Sequence, residues 1–493
     1  MKRRAPASFV LLLGVALATL AAVRPDLKPW PGTGFRTPEG SYLRPLFPGV
    51  SFTPLLTVGD TLLPPSADDE RFVFLPRPDG LGIRSIRKNV AEVYVAHETS
   101  WKDGLGGGRV SRLLVDTENR RILGADWIVD GIEGFDRLCA AELVEAHEGF
   151  LIPHFLVNEE SIEGLNRGVV AAVNVRSGVV TTLPWLGRFR HEKTLILPAT
   201  NGRIAAIVTE DGLPGQSQLY MYLADGDADF LAGRGQLHVF RADPPRDRPN
   251  TQIASMARKL RPLTGRFVPL PGFSEDGSAL APASLEAATR AAGALNFVCL
   301  EDAAPDRRDA SAFYLADTGD ENFTDPVSGR PVTGDGRIYR VELDPFDPTI
   351  VRELLVLLDG DDADDLYRPD NLETDERGLM IQEDPGRRGI HPARILRYDF
   401  DTRRLDPMAE CVERDAQGRV IPEGTGGAWE STGIVDASSF FGPGTWLVAV
   451  QAHTDYAAGF GGRGGGGQLL VMKAPLRGEA PKKKAKEKEE AED

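Results

Sequence analysis

Arg368-Pro369-Asp370-Asn371-Leu372-Glu373-Thr374-Asp375-Glu376-Arg377-Gly378-Leu379-Met380-Ile381-Gln382-Glu383-Asp384 reads as a loop, a short buried strand and a second loop. Both loops are rich in carboxylates. From Asp359 to Asp384 there are eleven acids and only two Arg. Such a cluster repels itself inside a fold unless cations neutralise it or water solvates it. Arg368 stands in it as a fixed cation beside Asp370 and Asn371.

The strand-then-acid phrase recurs. Ala205–Gly212 with Gln218–Tyr222 repeats it, and so does Ala312–Gly319 with Gly336–Arg340, before Gly378–Asp384 with Ala393–Tyr398. About eighteen short β-branched or alternating runs, separated by turn residues, fill the chain from Val93 to Met472, which predicts an all-β fold. That is too many for an ordinary sandwich. At about four strands per blade the run length suits a single β-propeller of five or six blades. Strand ends gather on one face of a propeller, so acids at equivalent ends are expected to converge on its channel. Asp211, Asp317, Glu383 and Glu430 are the metal-ligand candidates of this kind.

Outward from this body, the expected boundaries are a signal peptide at 1–22, an extended N-terminal arm at 23–92, the propeller at 93–480 and a disordered charged tail at 481–493. The leader has a basic start, an apolar run from Phe9 to Ala18 and small residues after it, which predicts export to the periplasm or medium. Retained, it would hold the protein at a membrane. Seven Pro between Pro25 and Pro54 forbid regular helix in the arm. Residues 242–264 and 284–295 read as insertions, the second a short helix with Ser284 as its N-cap.

The net charge is −16, and the tail cancels within itself. An acidic body argues against nucleic acid and suits metal cations. The three Cys form no disulfide scaffold and read as small buried apolar residues. With seven His, a His-rich zinc site is not expected. There is no Gly-x-Ser-x-Gly elbow, no His-Glu-x-x-His helix and no Walker loop. Gly459–Gly467 reads as a flexible loop and His453 as a structural histidine.

Four further motifs stand in order: Val157-Asn158-Glu159-Glu160, then Gly187-Arg188-Phe189-Arg190-His191-Glu192, then Arg368-Pro369-Asp370, then Trp429-Glu430-Ser431-Thr432-Gly433 with Val450-Gln451-Ala452-His453. Together they resemble the PhoX family of secreted bacterial alkaline phosphatases over about residues 90–475. The resemblance implies a six-bladed propeller whose channel holds a pair of irons and several calciums, and hydrolysis of phosphomonoesters. Carried over by position, Asn158 and Arg368 would contact phosphate, and Glu159, Glu192 and Asp370 would ligate metal. The sequence departs from the family in two places. The strand Arg167–Ala172 lacks the family's Cys ligand, no other Cys being near enough in sequence to replace it, and Arg-Pro-Glu has become Arg-Pro-Asp. These departures shift the cofactor expectation from iron toward calcium.

The expected function is thus an exported calcium-dependent phosphatase, monomeric, acting on a phosphomonoester or another small anion. Two alternatives of other classes remain open. One is a non-catalytic calcium-stabilised propeller that binds a partner or surface. The other is a calcium-dependent esterase or lactonase, which Asn371 after Asp370 would suit.

Overall fold

The computed structural model describes residues 27–475, apart from 31, 64–70, 201, 244–260, 272–277, 325–332, 363, 387–388, 415–418, 422–426 and 455–463. The leader, the charged tail and most of the Gly459–Gly467 run lie outside the described residues.

Strands β1 (Leu43–Pro45), β2 (Ser51–Thr57), β3 (Thr61–Leu62) and β4 (Phe72–Val73) come first. An antiparallel sheet of β5 (Pro78–Arg87), β6 (Val90–His97), β7 (Arg109–Asp116) and β8 (Arg121–Val129) follows. A second contains β9 (Leu138–Val144), β10 (His154–Glu159), β11 (Val170–Asn174) and β12 (Val180–Thr182). The third group is β13 (His191–Thr200), β14 (Arg203–Glu210), β15 (Leu219–Ala224), β16 (Gln236–Ala242) and β17 (Leu263–Pro269). The fourth is β18 (Leu300–Pro305), β19 (Ala312–Asp317), β20 (Arg337–Leu343) and β21 (Ile350–Asp359). Then come β22 (Pro369–Thr374), β23 (Gly378–Glu383), β24 (Arg394–Asp399) and β25 (Leu405–Cys411), and last β26 (Glu430–Asp436), β27 (Thr445–Ala452) and β28 (Gly466–Lys473).

The arrangement is all-β and propeller-like. The first strands of the six groups pack in a closed ring: β5, β9, β13, β18, β22, β26 and back to β5. The sheets stack face to face around that ring, so most strands are buried on both sides and read as continuous apolar runs. Strand β6 illustrates this. Val93 and Val95 pack with Leu447 and Leu469 of the last sheet, while Tyr94 and Ala96 pack with Phe155 and Val173 of the next. The two-residue period of a strand thus feeds two cores at once.

Three expectations change. The segment 23–92 is woven into the body rather than lying on it: β1 pairs with β25, β2 pairs with β28, and β5 is itself an inner strand. By taking the outer edge of the last sheet, β2 ties the start of the chain to its end. The third and fourth groups form one nine-stranded sheet, because β17 bonds both β16 and β21. The helix expected from Ser284 spans Pro282–Ala292 with Ala281 as N-cap. Proline's fixed φ and missing N–H suit the first helical turn, so Pro282 starts the helix earlier.

Candidate metal centre

Each inner strand presents a ligand-type residue at its start. In β5, β9, β13, β18 and β22 it is the second residue: Asp79, Cys139, Glu192, Glu301 and Asp370. In β26 it is the first, Glu430. Five of these, all but Asp79, line a cavity of about 900 Å³ at one end of the ring, with Glu98, Glu160, Asp211 and Asp384 around them.

Donor atoms converge in four groups, each within 4.8 Å: Asp79–Glu98–Cys139, Cys139–Glu160–Glu192, Glu192–Glu301–Asp370 and Asp211–Cys299–Glu301. Cys139, Glu192 and Glu301 each belong to two groups, so the four make a continuous arc. Cys139 Sγ lies 3.3 Å from Glu192 Oε1 and 3.6 Å from Asp79 Oδ2. Cys299 Sγ lies 3.1 Å from Asp211 Oδ1 and 3.4 Å from Glu301 Oε1.

The electrostatics are those of a site built for cations. Burial, then the neighbouring Glu430, pushes Asp79 well above the usual carboxylate range. Burial and Glu301 do the same to Glu192 and Asp370, and burial and Asp211 to Glu301. Burial and adjacent acids also push the Cys139 and Cys299 thiols up. Glu98 is the exception. Burial acts on it too, but the Arg137 and Arg77 guanidiniums hold it down at about 2. Asp79 Oδ1 and Gln451 Oε1 are buried without a hydrogen-bond partner among the described residues. Gln451 Nε2 meanwhile donates to both Asp79 Oδ2 and Glu98 Oε2, at 2.8 and 3.0 Å. Two orphaned oxygens beside two facing carboxylates fit a cation better than they fit an empty protein core.

The cavity also holds cations of its own. Arg137 Nε donates to Glu98 Oε1 and its Nη2 to Glu160 Oε2, both at 2.7 Å. His453 Nε2 is 3.0 Å from Glu430 Oε2. Burial works against the imidazolium, but the Glu430 carboxylate raises its pKa overall.

The residues expected from sequence divide into two sets. Glu192, Asp370, Glu430 and Asp211 meet in the cavity. Asn158, Glu159, Asp317, Glu383 and Arg368 are not among its lining residues and make other bonds. Asp317 ends β19 and Glu383 ends β23, the second strands of their groups, where they pair with Leu300 of β18 and Pro369 of β22. Neighbouring strands are about 4.8 Å apart, so these acids stand one strand further from the axis. Asp317 Oδ1 accepts from the Cys299 backbone N–H at 2.9 Å and so fixes the loop that carries that thiol. Glu383 forms an ion pair with Arg394 at 2.7 Å. Glu159 accepts from the Asp136 and Gly168 backbone N–H groups, both at 2.9 Å. Gly168 has φ +72, and a Cβ there would lie 1.9 Å from Phe189 O, so this clamp needs glycine. Asn158 ties β10 to both neighbouring inner strands through Ala140 O and Thr194 Oγ1. Arg368 adopts φ 48, and its Nε is buried with no hydrogen-bond partner among the described residues, its guanidinium close to the cavity-lining Gly386.

Sequence reasoning missed Asp79, Glu98, Cys139, Glu160, Cys299, Glu301, Asp384 and Arg137. Cys139 lines the cavity and Cys299 lies against its lining residues Asp211 and Glu301, although the strand Arg167–Ala172 has no thiol. The missed signal was positional: a ligand-type residue at the start of each inner strand, rather than an acid at a strand end.

One residue beyond Glu192, Lys193 crosses the ring. Its Nζ donates to Ala141 O at 2.9 Å and lies 3.2 Å from both Glu142 Oε2 and Asp302 Oδ1, which joins β9, β13 and β18.

The family model described as Alkaline phosphatase PhoX matches residues 170–397. No curated protein sequence is significantly similar to the chain. Among solved structures, Pseudomonas fluorescens PhoX in complex with vanadate, a transition state analogue, is similar at 16% identity, covering 91% of this chain and 97% of that one with a TM-score of 0.63. A luciferin-regenerating enzyme is similar at 11% identity, covering 81% of this chain and 92% of that one with a TM-score of 0.39. The PhoX alkaline phosphatase signature thus covers the middle of the sequence, and the fold is similar to that of Pseudomonas fluorescens PhoX across nearly all of it.

Proposed function

We propose that the protein is a metal-dependent phosphomonoesterase acting in the cavity at the end of the inner-strand ring. The observation that carries this reading is the unbroken arc of four donor groups around one space, with the Arg137 guanidinium on its wall. The donors fit metal ions. Glu192, Glu301 and Asp370 are all-oxygen and suit a hard cation such as calcium. Cys139 and Cys299 add the soft ligands that favour iron, so iron returns as a cofactor candidate. Metal ions held there would supply Lewis acidity toward the phosphoryl oxygens.

The chain's own groups do the rest. Arg137 engages Nε and Nη2 with Glu98 and Glu160 and keeps its Nη1 donors for a phosphate oxygen. Its two carboxylate partners hold the fork rigid. His453, whose pKa burial lowers but the Glu430 carboxylate raises overall, is placed to give a proton to a departing oxygen. Asn158, Glu159, Asp317 and Glu383 act as positioning residues for the strands and loops that carry the ligands.

The same reading takes the architecture as six blades, the nine-stranded sheet being two blades fused through β17. It takes the protein as exported after loss of residues 1–22, and as a monomer. The decisive experiment measures bound metals by mass spectrometry and p-nitrophenyl phosphate hydrolysis on one preparation. Metal with turnover is expected. Metal-free protein that hydrolyses the ester, or metal-loaded protein that does not, rejects the proposal.

A further inference from the structure

The ring of inner strands closes where β26 of the last sheet meets β5 of the first. Among the described residues these two sheets share no strand. Apolar contacts among Val93, Val95, Leu447 and Leu469 join them, and at the end that carries the metal-type residues the joint is polar. We propose that a hard divalent cation, calcium, sits in that polar joint on Asp79, Glu98 and Gln451 and acts as the clasp that closes the ring. It rests on the metal dependence of the proposed function and not on turnover itself.

Asp79 is 1% exposed. Close backbone approach buries it. Gly433 of β26 has φ +53, and a Cβ there would lie 2.3 Å from Asp79 O. A Cβ on Gly80 would lie 2.6 Å from Cys139 O. Thr432 Oγ1 and Gln451 Nε2 each donate to Asp79 Oδ2 at 2.8 Å, and Cys139 Sγ lies 3.6 Å from the same oxygen. Oδ1 has no partner among the described residues. These donors are neutral groups. Burial first, then the acids Glu430 and Glu98, raise the Asp79 pKa, and no ion pair among the described residues joins it to a cation. Other carboxylates near the axis do have one. Lys193 bridges Glu142 of β9 and Asp302 of β18, and Arg137 holds Glu98 and Glu160. A buried carboxylate without a counter-charge is costly, and a bound cation removes that cost.

Gln451 points to the same ligand independently. It is 0% exposed, and its amide lies against both Asp79 and Glu98. Its Oε1 has no donor among the described residues. Two carboxylates and an amide oxygen make an all-oxygen set, which suits calcium. Gln451 lies 353 positions beyond Glu98 and 372 beyond Asp79. A cation held by all three therefore ties the first sheet to the last at the inner edge, as the β2–β28 pairing ties the chain ends at the outer edge.

The test counts calcium per chain by mass spectrometry and follows amide hydrogen exchange on the full chain loaded with calcium. Asp79→Asn should lose about one calcium equivalent. With calcium at about ten times its Kd for the wild type, exchange in β5, β26 and β27 should be about tenfold faster in the variant, and that in β15 and β16 unchanged. Gln451→Met should reproduce both effects, and it carries the test if Asp79→Asn does not fold. A full calcium count in the folded variants overturns the clasp. So does wild-type protection in Asp79→Asn, the result for an Asp79 that is simply protonated, and so does an equal loss of protection in every sheet. A wild type that binds no calcium rejects the metal dependence as well, whereas calcium lost in Asp370→Asn but not in Asp79→Asn rejects the clasp alone.

Discussion

Lys193→Met removes the ammonium that joins β9, β13 and β18 while keeping most of the side-chain volume. The buried groups left behind set the size of the effect. Asp302 is nearly inaccessible and Glu142 largely so, at 5% and 20% side-chain exposure. Removing one partner of a buried ion pair costs about 3–5 kcal/mol, because the remaining charge stays desolvated. Asp302 also accepts from the Leu372 backbone N–H, which limits its share. The lost bond to Ala141 O adds about 1 kcal/mol. A loss of roughly 4 kcal/mol at pH 8 follows. The loss should shrink on acidification. Glu142 is already at about 7 in the wild type, raised by burial against the pull of Lys193, and losing Lys193 raises it further. A carboxyl raised in the folded state favours folding below its ordinary range and loses that contribution as pH rises through the folded value. At pH 5 the variant therefore neutralises Glu142 at little cost, and at pH 8, far above the ordinary carboxylate range, the same neutralisation costs much more. Urea unfolding at the two pH values, with unchanged m-values, is the assay. Adding Glu142→Gln should recover part of the loss at pH 8. A variant within about 1 kcal/mol of wild type at pH 8, or an equal loss at both pH values, refutes the reasoning.

Chelator should lower the melting temperature and calcium restore it, as read by differential scanning fluorimetry, since a ligand that binds only the folded state stabilises it. Glu192→Gln or Asp370→Asn should cut p-nitrophenyl phosphate turnover by about a hundredfold or more and lower the metal count, a loss spread over both kcat and metal content. Arg137→Met should lower kcat/KM by more than Arg368→Ala does, because Arg137 lines the cavity and Arg368 does not; steady-state kinetics with metal analysis reads the difference. Gly168→Ala should destabilise the fold by about 1–3 kcal/mol through its left-handed φ and the contact with Phe189 O, measured by urea denaturation.

Local chemistry was enough to read the all-β fold, the recurring strand-and-acid phrase and four of the cavity residues. The alternation of β-branched residues and turns is a property of short segments, so Val93–Val95 and Leu447–Val450 announce themselves as strands without any partner. Glu192, Asp370, Glu430 and Asp211 were legible because an acid beside a strand boundary is exposed to the chain's own register. What the sequence could not supply is which strand of each group faces the axis. Glu383 and Asp370 lie thirteen positions apart at the two ends of one hairpin-connected pair, yet only Asp370 sits on the inner strand. That choice follows from closing six groups into a ring, with β2 joined to β28 across more than 400 residues. The same closure brings Cys139 to Glu192 and Cys299 to Asp211, contacts between segments 53 and 88 residues apart. Local propensity carries no information at that range. The sequence by itself determined that there would be strands with carboxylates at their ends, while the tertiary ring decided which of them share one space and which merely hold the loops in place.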